Sequence, residues 1–223
     1  MTYREVIVED AITWLKTPKE TSQYSFVASL PDISEFPQFN LEQWKQWFIA
    51  TAELIFQNTS DEGVTLFFQS DIKWQGVWVD KGYLCQKAAE QQGCQLLWHK
   101  IICRSPAGTT TFGRPAYSHI LCFSKKLKLE SSESTPDVIS EMGDKTWQRG
   151  MGLEACLMMA KFLSAKVPEH IIVNPFCGEG SILAAVNAHG LKAIGIERSP
   201  KRAQKAKELA LELNEKKWII NET

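Results

Sequence analysis

The 223-residue sequence lacks the features that mark several large classes of protein. No apolar run approaches the roughly 20 residues that span a bilayer, and the first ten residues, MTYREVIVED, are too charged for a signal peptide. A cytoplasmic protein without membrane contact is expected. There is no surplus charge of either sign: 25 Lys and Arg stand against 26 Asp and Glu. A nucleic-acid partner would therefore have to be met by a local basic patch and not by an overall field. The six cysteines (Cys85, Cys94, Cys103, Cys122, Cys156, Cys177) form no CxxC pair and have no histidine at zinc-ligand spacing. Buried free thiols and no metal are expected. No internal repeat is present, and the length suits one domain, residues 1–223.

What is present is alternation. Short apolar runs of strand length occur at 5–9, 24–29, 64–69, 95–103, 117–124, 170–174 and 192–197. Between most of them lie amphipathic stretches of helical period at 11–16, 41–57, 81–92, 151–165 and 181–189, with a last one at 199–217. This pattern predicts an α/β domain: seven strands, mostly parallel, covered by helices on both faces. The runs 95–103 and 117–124 have no helix between them and should form one antiparallel hairpin. Their connection, RSPAGTTTFGRPA, is rich in turn residues. The polar stretch 129–145 reads as a linker between a half spanning 1–128 and a half spanning 146–223. In such a fold the ligand crevice lies at the carboxyl ends of the strands.

One of those ends carries a glycine pair. In VNPFCGEGSILAA (173–185) a strand stops at Asn174, turns through Pro175, Phe176, Cys177, Gly178, Glu179 and Gly180, and enters a helix. Gly178 and Gly180 permit a left-handed turn and a close approach of backbone to ligand. Glu197 ends the next strand about 20 residues on, the position that receives ribose hydroxyls. A P-loop is absent. The dinucleotide pattern needs a third glycine where Leu183 stands, and it would set the charge of Glu179 against phosphates. S-adenosylmethionine carries a sulfonium cation and no phosphate, so the acidic turn favours it.

These residues resemble the first two cofactor motifs of Rossmann-like, S-adenosylmethionine-dependent methyltransferases, with Asn174 where aspartate is usual. The motif lies late, with only one helical stretch after Glu197, so the remaining strands must come from the N-terminal part. REVIVEDAITWL places Asp10 at a strand end, similar to the family's third motif, whose acid contacts the adenine amino group. YSFVASLPD places Ser29-Leu30-Pro31-Asp32 where the family holds its catalytic tetrapeptide, (D/N/S)PP(Y/F). This circularly permuted order resembles the class β DNA amino-methyltransferases, with 146–163 falling where they carry another cofactor segment. The resemblance implies a single Rossmann-like methyltransferase domain that binds S-adenosylmethionine through Asp10, Asn174, Pro175, Phe176, Gly178, Gly180 and Glu197. It also implies catalysis at Ser29, Pro31 and Asp32.

In the family the first tetrapeptide residue and a proline carbonyl accept hydrogens of an exocyclic amine, and the terminal aromatic stacks on the flipped base. Here Leu30 replaces the first proline and Asp32 the aromatic. Asp32 cannot stack, so it is expected to act as base or substrate anchor, with Glu35 as an alternative and Phe36 or Phe39 as possible stacking partners. A cap on the following turn is its bland role. No long target-recognition region lies between the hairpin and residue 146. Two segments mix basic and aromatic residues, QSDIKWQGVWVDKGY with Lys73 and Trp74, and RSPAGTTTFGRPAY with Arg104, Phe112 and Arg114. Such mixtures suit a splayed base. The expected substrate is a base in structured RNA, transfer or ribosomal. The alternatives are DNA N6-adenine or N4-cytosine methylation, a protein glutamine side chain, and a catalytically silent cofactor-binding partner subunit.

Overall fold

A computed structural model of the chain describes residues 3–19 and 23–220. In chain order the elements are β1 (Arg4–Ile7), α1 (Ala11–Lys16), β2 (Tyr24–Ala28), α2 (Leu41–Asn58), β3 (Thr65–Gln69), β4 (Ile72–Trp74), β5 (Val77–Val79), α3 (Lys81–Gln91), β6 (Gln95–Cys103), β7 (Tyr117–Ser124), β8 (Val138–Ile139), α4 (Leu153–Lys166), β9 (Ile171–Asn174), α5 (Ser181–Ala188), β10 (Lys192–Ile196), α6 (Pro200–Glu208), β11 (Leu209–Glu212) and β12 (Lys217–Ile220). The α/β class holds, and every strand expected from the apolar runs forms. Two compact units divide the chain: Met1–Ala28 with Met142–Thr223, and Ser29–Glu141.

In the first unit the strands lie in the order β1, β10, β9, β2, all parallel. Ile7 pairs with Ile196, Gly195 with Asn174, and Phe26 with Val173. The late strand β9 therefore lies inside the sheet, between β10 and the N-terminal β2, as the permuted order requires. Ile172 and Val173 are fully buried, the apolar run that a strand covered on both faces needs. The helix α5 is buried through Ile182, Leu183, Ala184, Ala185 and Val186, apolar all round and so enclosed on all sides. It packs on β10 at Gly195, where a Cβ would stand 2.5 Å from Leu183 Cδ1. Dinucleotide folds put the small residue on the helix for this approach; here it is on the strand, which is why Leu183 is tolerated.

The expected helix over 199–217 ends at Glu208 instead. Leu209 and Leu211 are buried on alternate residues, a strand period, and β11 turns back on β12 with Leu211 opposite Trp218. Arg4 helps set the stop: its guanidinium donates to the carbonyls of Ala206, at 3.0 Å, and Leu209, capping the end of α6.

In the second unit the order is β3, β7, β6, β8, with β7 antiparallel to both neighbours. The hairpin of β6 and β7 is as expected. The stretch read as a linker adds β8 alongside β6, pairing Ile101 with Val138, and Lys100 Nζ donates to the carbonyls of Thr135 and Pro136, both at 2.9 Å. The core here is aromatic, with Phe56, Phe67 and Phe123 meeting edge to face. Small β4 and β5 join through Gln75 and Gly76 at φ 49° and 81°, the left-handed pair of a two-residue hairpin turn. All six cysteines are free, and only Cys103 is not buried. Burial raises the pKa of the thiols of Cys85, Cys122, Cys156 and Cys177. No helix among the described residues is long and apolar enough to cross a membrane.

Candidate functional site

The glycine turn of the first unit is held from three directions. The side-chain oxygen of Asn174, which is buried, accepts the Phe176 N–H at 3.1 Å and bends the chain through Pro175. That bond uses one neutral oxygen, so asparagine serves it as well as aspartate. Gly178 and Gly180 take the left-handed φ values of 56° and 85°. At Gly180 a Cβ would lie 2.8 Å from Ala206, so the space and the backbone both require glycine.

Glu197 follows β10 directly. One carboxylate oxygen accepts the Gly178 N–H at 3.1 Å, the other the Ser199 N–H at 2.8 Å, and Arg202 Nη1 stands 3.7 Å away. Each oxygen keeps a second acceptor site. A ribose diol fits such a group, a nearly buried carboxylate already oriented by backbone donors. Asp10 follows β1, the strand paired with β10, and so sits toward the same carboxyl edge; it is exposed, and its side chain caps α1 by accepting the Thr13 N–H at 3.0 Å.

Two features were not readable from the motif. Trp147 lies against the turn, with its ring carbon Cζ2 3.0 Å from the position of a Cβ on Gly178. The Arg202 guanidinium stands over that ring, 5.0 Å from its centroid. Only the location of 146–163 as a cofactor segment pointed toward it. Glu179 pairs with Lys205 at 2.6 Å, which offsets the charge that spoke against phosphates.

In the second unit, Asp32 is buried, and its two oxygens are taken by Lys81 and Arg114. Lys81 is 2% exposed; desolvation lowers its pKa, and the Asp32 carboxylate opposes that shift. Asp32, expected to act as base or substrate anchor, is an ion-paired group here. Glu35 folds back to accept the Asp32 N–H at 3.3 Å. Phe36 and Phe39 stack on one another at 5.3 Å, and Phe36 also meets Trp47 at 4.4 Å, so the aromatic pair is packed within the chain. The Pro31 carbonyl accepts the Trp44 indole N–H at 3.3 Å. Ser29 is half-buried.

The two basic and aromatic segments meet. Lys73 donates through its backbone N–H to the Gly113 carbonyl at 3.4 Å and through Nζ to the Thr111 carbonyl at 3.0 Å, tying β4 to the loop between β6 and β7. Lys73 also stands 5.3 Å over the Trp78 ring, and Trp74 is half-exposed beside it. Arg104 and Arg114 flank that loop, joined where the Arg104 N–H donates to the Ala116 carbonyl at 2.6 Å, and Phe112 at the tip is 87% exposed. Sequence reading missed the polar chain behind it. His99 Nε2 meets His119 Nδ1 at 2.8 Å, and His119 Nε2 meets Asp71 at 2.9 Å. Asp71 also accepts the Lys81 N–H at 2.8 Å and the Trp78 indole N–H at 3.2 Å. Burial alone would raise the pKa of Asp71; the hydrogen bond and charge of His119 outweigh it, and the pKa is lowered. That of His99, an exposed residue whose ring is partly desolvated, is lowered by that desolvation and by His119.

No family model and no curated protein matches the sequence. Solved structures do. TTHA0409 from Thermus thermophilus, named as a candidate DNA modification methylase and solved with S-adenosyl-L-methionine, matches with a TM-score of 0.67 at 18% identity, over 92% of this chain and 93% of its own. The PvuII DNA methyltransferase (cytosine-N4-specific) matches with a TM-score of 0.68 at 14% identity, over 92% of this chain and 86% of its own. M1.HpyAVI in complex with SAM matches with a TM-score of 0.61 at 17% identity, over 92% of this chain and 98% of its own. At these identities the likeness is one of fold: the chain has the fold of these proteins over nearly its whole length.

Proposed function

We propose that the chain is an S-adenosylmethionine-dependent methyltransferase acting on a base of DNA. The observation that carries the cofactor is the Glu197 carboxylate, fixed on the Gly178 N–H with acceptor capacity to spare, in a fold shared with proteins solved with that cofactor. Glu197 would take the ribose hydroxyls and Asp10 the adenine amino group. Asn174, Pro175, Phe176, Gly178 and Gly180 shape the turn against which the cofactor lies, and Trp147 backs it. When bound, S-adenosylmethionine supplies an electrophilic methyl group on a sulfonium centre.

The chain's own part is to position a nucleophile and dispose of its proton. Ser29 and the backbone carbonyls that follow it are the acceptors available to an exocyclic amine. The Pro31 carbonyl keeps one lone pair after its bond to Trp44. Asp32 is assigned to hold Lys81 and Arg114, with Lys73, Trp74, Arg104 and Arg114 facing the nucleic acid.

The expectation of RNA ahead of DNA rests on the lack of a long recognition region. That ground weakens beside TTHA0409: the match covers 92% of this chain and 93% of that one, and that protein is named for DNA. PvuII methyltransferase is likewise a DNA enzyme by name. The occupied carboxylate of Asp32 favours one second reading, a cofactor-binding subunit without turnover of its own. Incubation with labelled S-adenosylmethionine and separate DNA, RNA and protein fractions tests both, with mass spectrometry of the nucleosides. N4-methylcytosine or N6-methyladenine in DNA is expected. Label confined to RNA overturns the choice of DNA, and binding with no transfer to any fraction leaves the silent subunit.

A further inference from the structure

We propose that Lys81, Arg104 and Arg114, gathered round Asp32, form a pocket for a phosphate group. Asp32 bonds both Lys81 and Arg114. Arg104 is close enough to feel the charges of Arg114 and Asp32, and it sits at the base of the same loop as Arg114. Three cations stand against two acids, Asp32 and the Glu35 that folds back on its N–H, so positive charge is in excess in the cluster. Charge of one sign, crowded and partly desolvated, is costly unless an anion completes it.

The second observation is independent of the charge count. Nη1 of Arg104 is buried and has no hydrogen-bond partner among the described residues. An orphaned guanidinium donor is the costliest kind of buried polar atom to leave unpaired, and its planar fork matches two oxygens of a phosphate. Arg114 gives access, since its side chain is 44% exposed while that of Lys81 is 3% exposed. Asp32 is then a positioning residue: it holds Lys81 and Arg114 apart and in place, and leaves Arg104 to the incoming anion. Aspartate at this position, where the resembled family carries an aromatic, makes sense as the floor of an anion pocket.

A phosphate here could be a phosphodiester of the substrate strand or the phosphate of a free nucleotide. The first deepens the reading of the chain as a nucleic-acid methyltransferase and rests on it; the pocket itself stands on the cluster alone. Thermal unfolding of the full chain in inorganic phosphate, against chloride at equal ionic strength, tests it. Phosphate should raise the midpoint beyond chloride, and Arg104→Gln should weaken the fitted affinity roughly tenfold or more, as loss of a charged hydrogen bond does. Arg114→Gln, at a half-exposed side chain, repeats the test should the first variant fold poorly. Adenosine monophosphate and an abasic oligodeoxynucleotide then separate the sources by which binds more tightly. A midpoint no higher in phosphate than in chloride, or an Arg104→Gln protein that keeps the full effect, overturns the pocket. S-adenosylmethionine binding and methyl transfer are measured separately, so a pocket without transfer counts against the function alone.

Discussion

Glu197 and Gly178 are joined across the turn by a 3.1 Å bond from backbone N–H to carboxylate, and the same carboxylate accepts the Ser199 N–H at 2.8 Å. The acid expected to meet the cofactor therefore also builds the turn. Glu197→Gln keeps the size of the side chain but sets an amide donor against a backbone donor. S-adenosylmethionine affinity should fall by roughly tenfold or more, the worth of a charged hydrogen bond. Calorimetry checks this, and unchanged affinity would remove Glu197 from the cofactor site.

Gly180 and Gly190 separate space from backbone. Both have left-handed φ, 85° and 83°, but a Cβ meets Ala206 at 2.8 Å in the first and nothing within 4 Å in the second. Gly190→Ala should cost about 1 kcal/mol from the backbone alone, and Gly180→Ala about 2–4 kcal/mol once overpacking is added. Urea unfolding of the two variants measures the difference; equal losses would mean that the contact with α6 relaxes freely.

Breaking the Asp32 pair leaves buried cations behind. Asp32→Asn should destabilise the protein by about 3–5 kcal/mol, the usual result of removing one partner of a buried pair. Adding Lys81→Met should recover part of the loss, because the stranded ammonium goes too. Strictly additive losses in chemical denaturation would show that the two groups are not coupled.

Acid should weaken the second unit in two stages. The pKa of His99 lies below its ordinary 6.5, through partial desolvation of an otherwise exposed ring and the neighbouring His119, so the folded chain weakly resists its protonation. Its contribution to stability is complete above that value and shrinks as pH falls below it. Asp71, lowered from 3.8, adds a second loss as pH falls through its folded value. Melting temperatures from about pH 8 down to about pH 2 should begin to decline near pH 6.5 and fall again below pH 3.8, and His99→Gln should flatten the first stage. Asp71, Asp80 and His119 all act on His99, and a decline that persists unchanged in the variant would remove His99 as its source.

The strands were legible because strand-length apolar runs with β-branched residues repeat in the chain, and the glycine turn because its spacing to Glu197 is local. The end of α6 was not. ELALELNEKK is built of strong helix formers, and only the alternate burial of Leu209 and Leu211, a tertiary fact, makes it a strand. The environment of Asp32 was equally hidden: its partners Lys81 and Arg114 lie 49 and 82 residues away in sequence. His119 meets Asp71 across 48 residues. Charge pairs of that separation leave no periodic mark, so a carboxylate at a strand end reads as free until the fold brings its cations to it.

The register of the first unit also governs how the protein can be made. β1 and β2 leave the ribosome before the whole of Ser29–Glu141, yet they pair with β10 and β9. The interior strand of that sheet thus emerges only after the second unit is already complete in sequence. Two early strands must wait with open edges, exposed to mispairing, until the glycine turn arrives between them. Closing so long an interval should slow the assembly of this sheet, and synthesis at low temperature or with a chaperone that shields strand edges should raise the yield of the native chain.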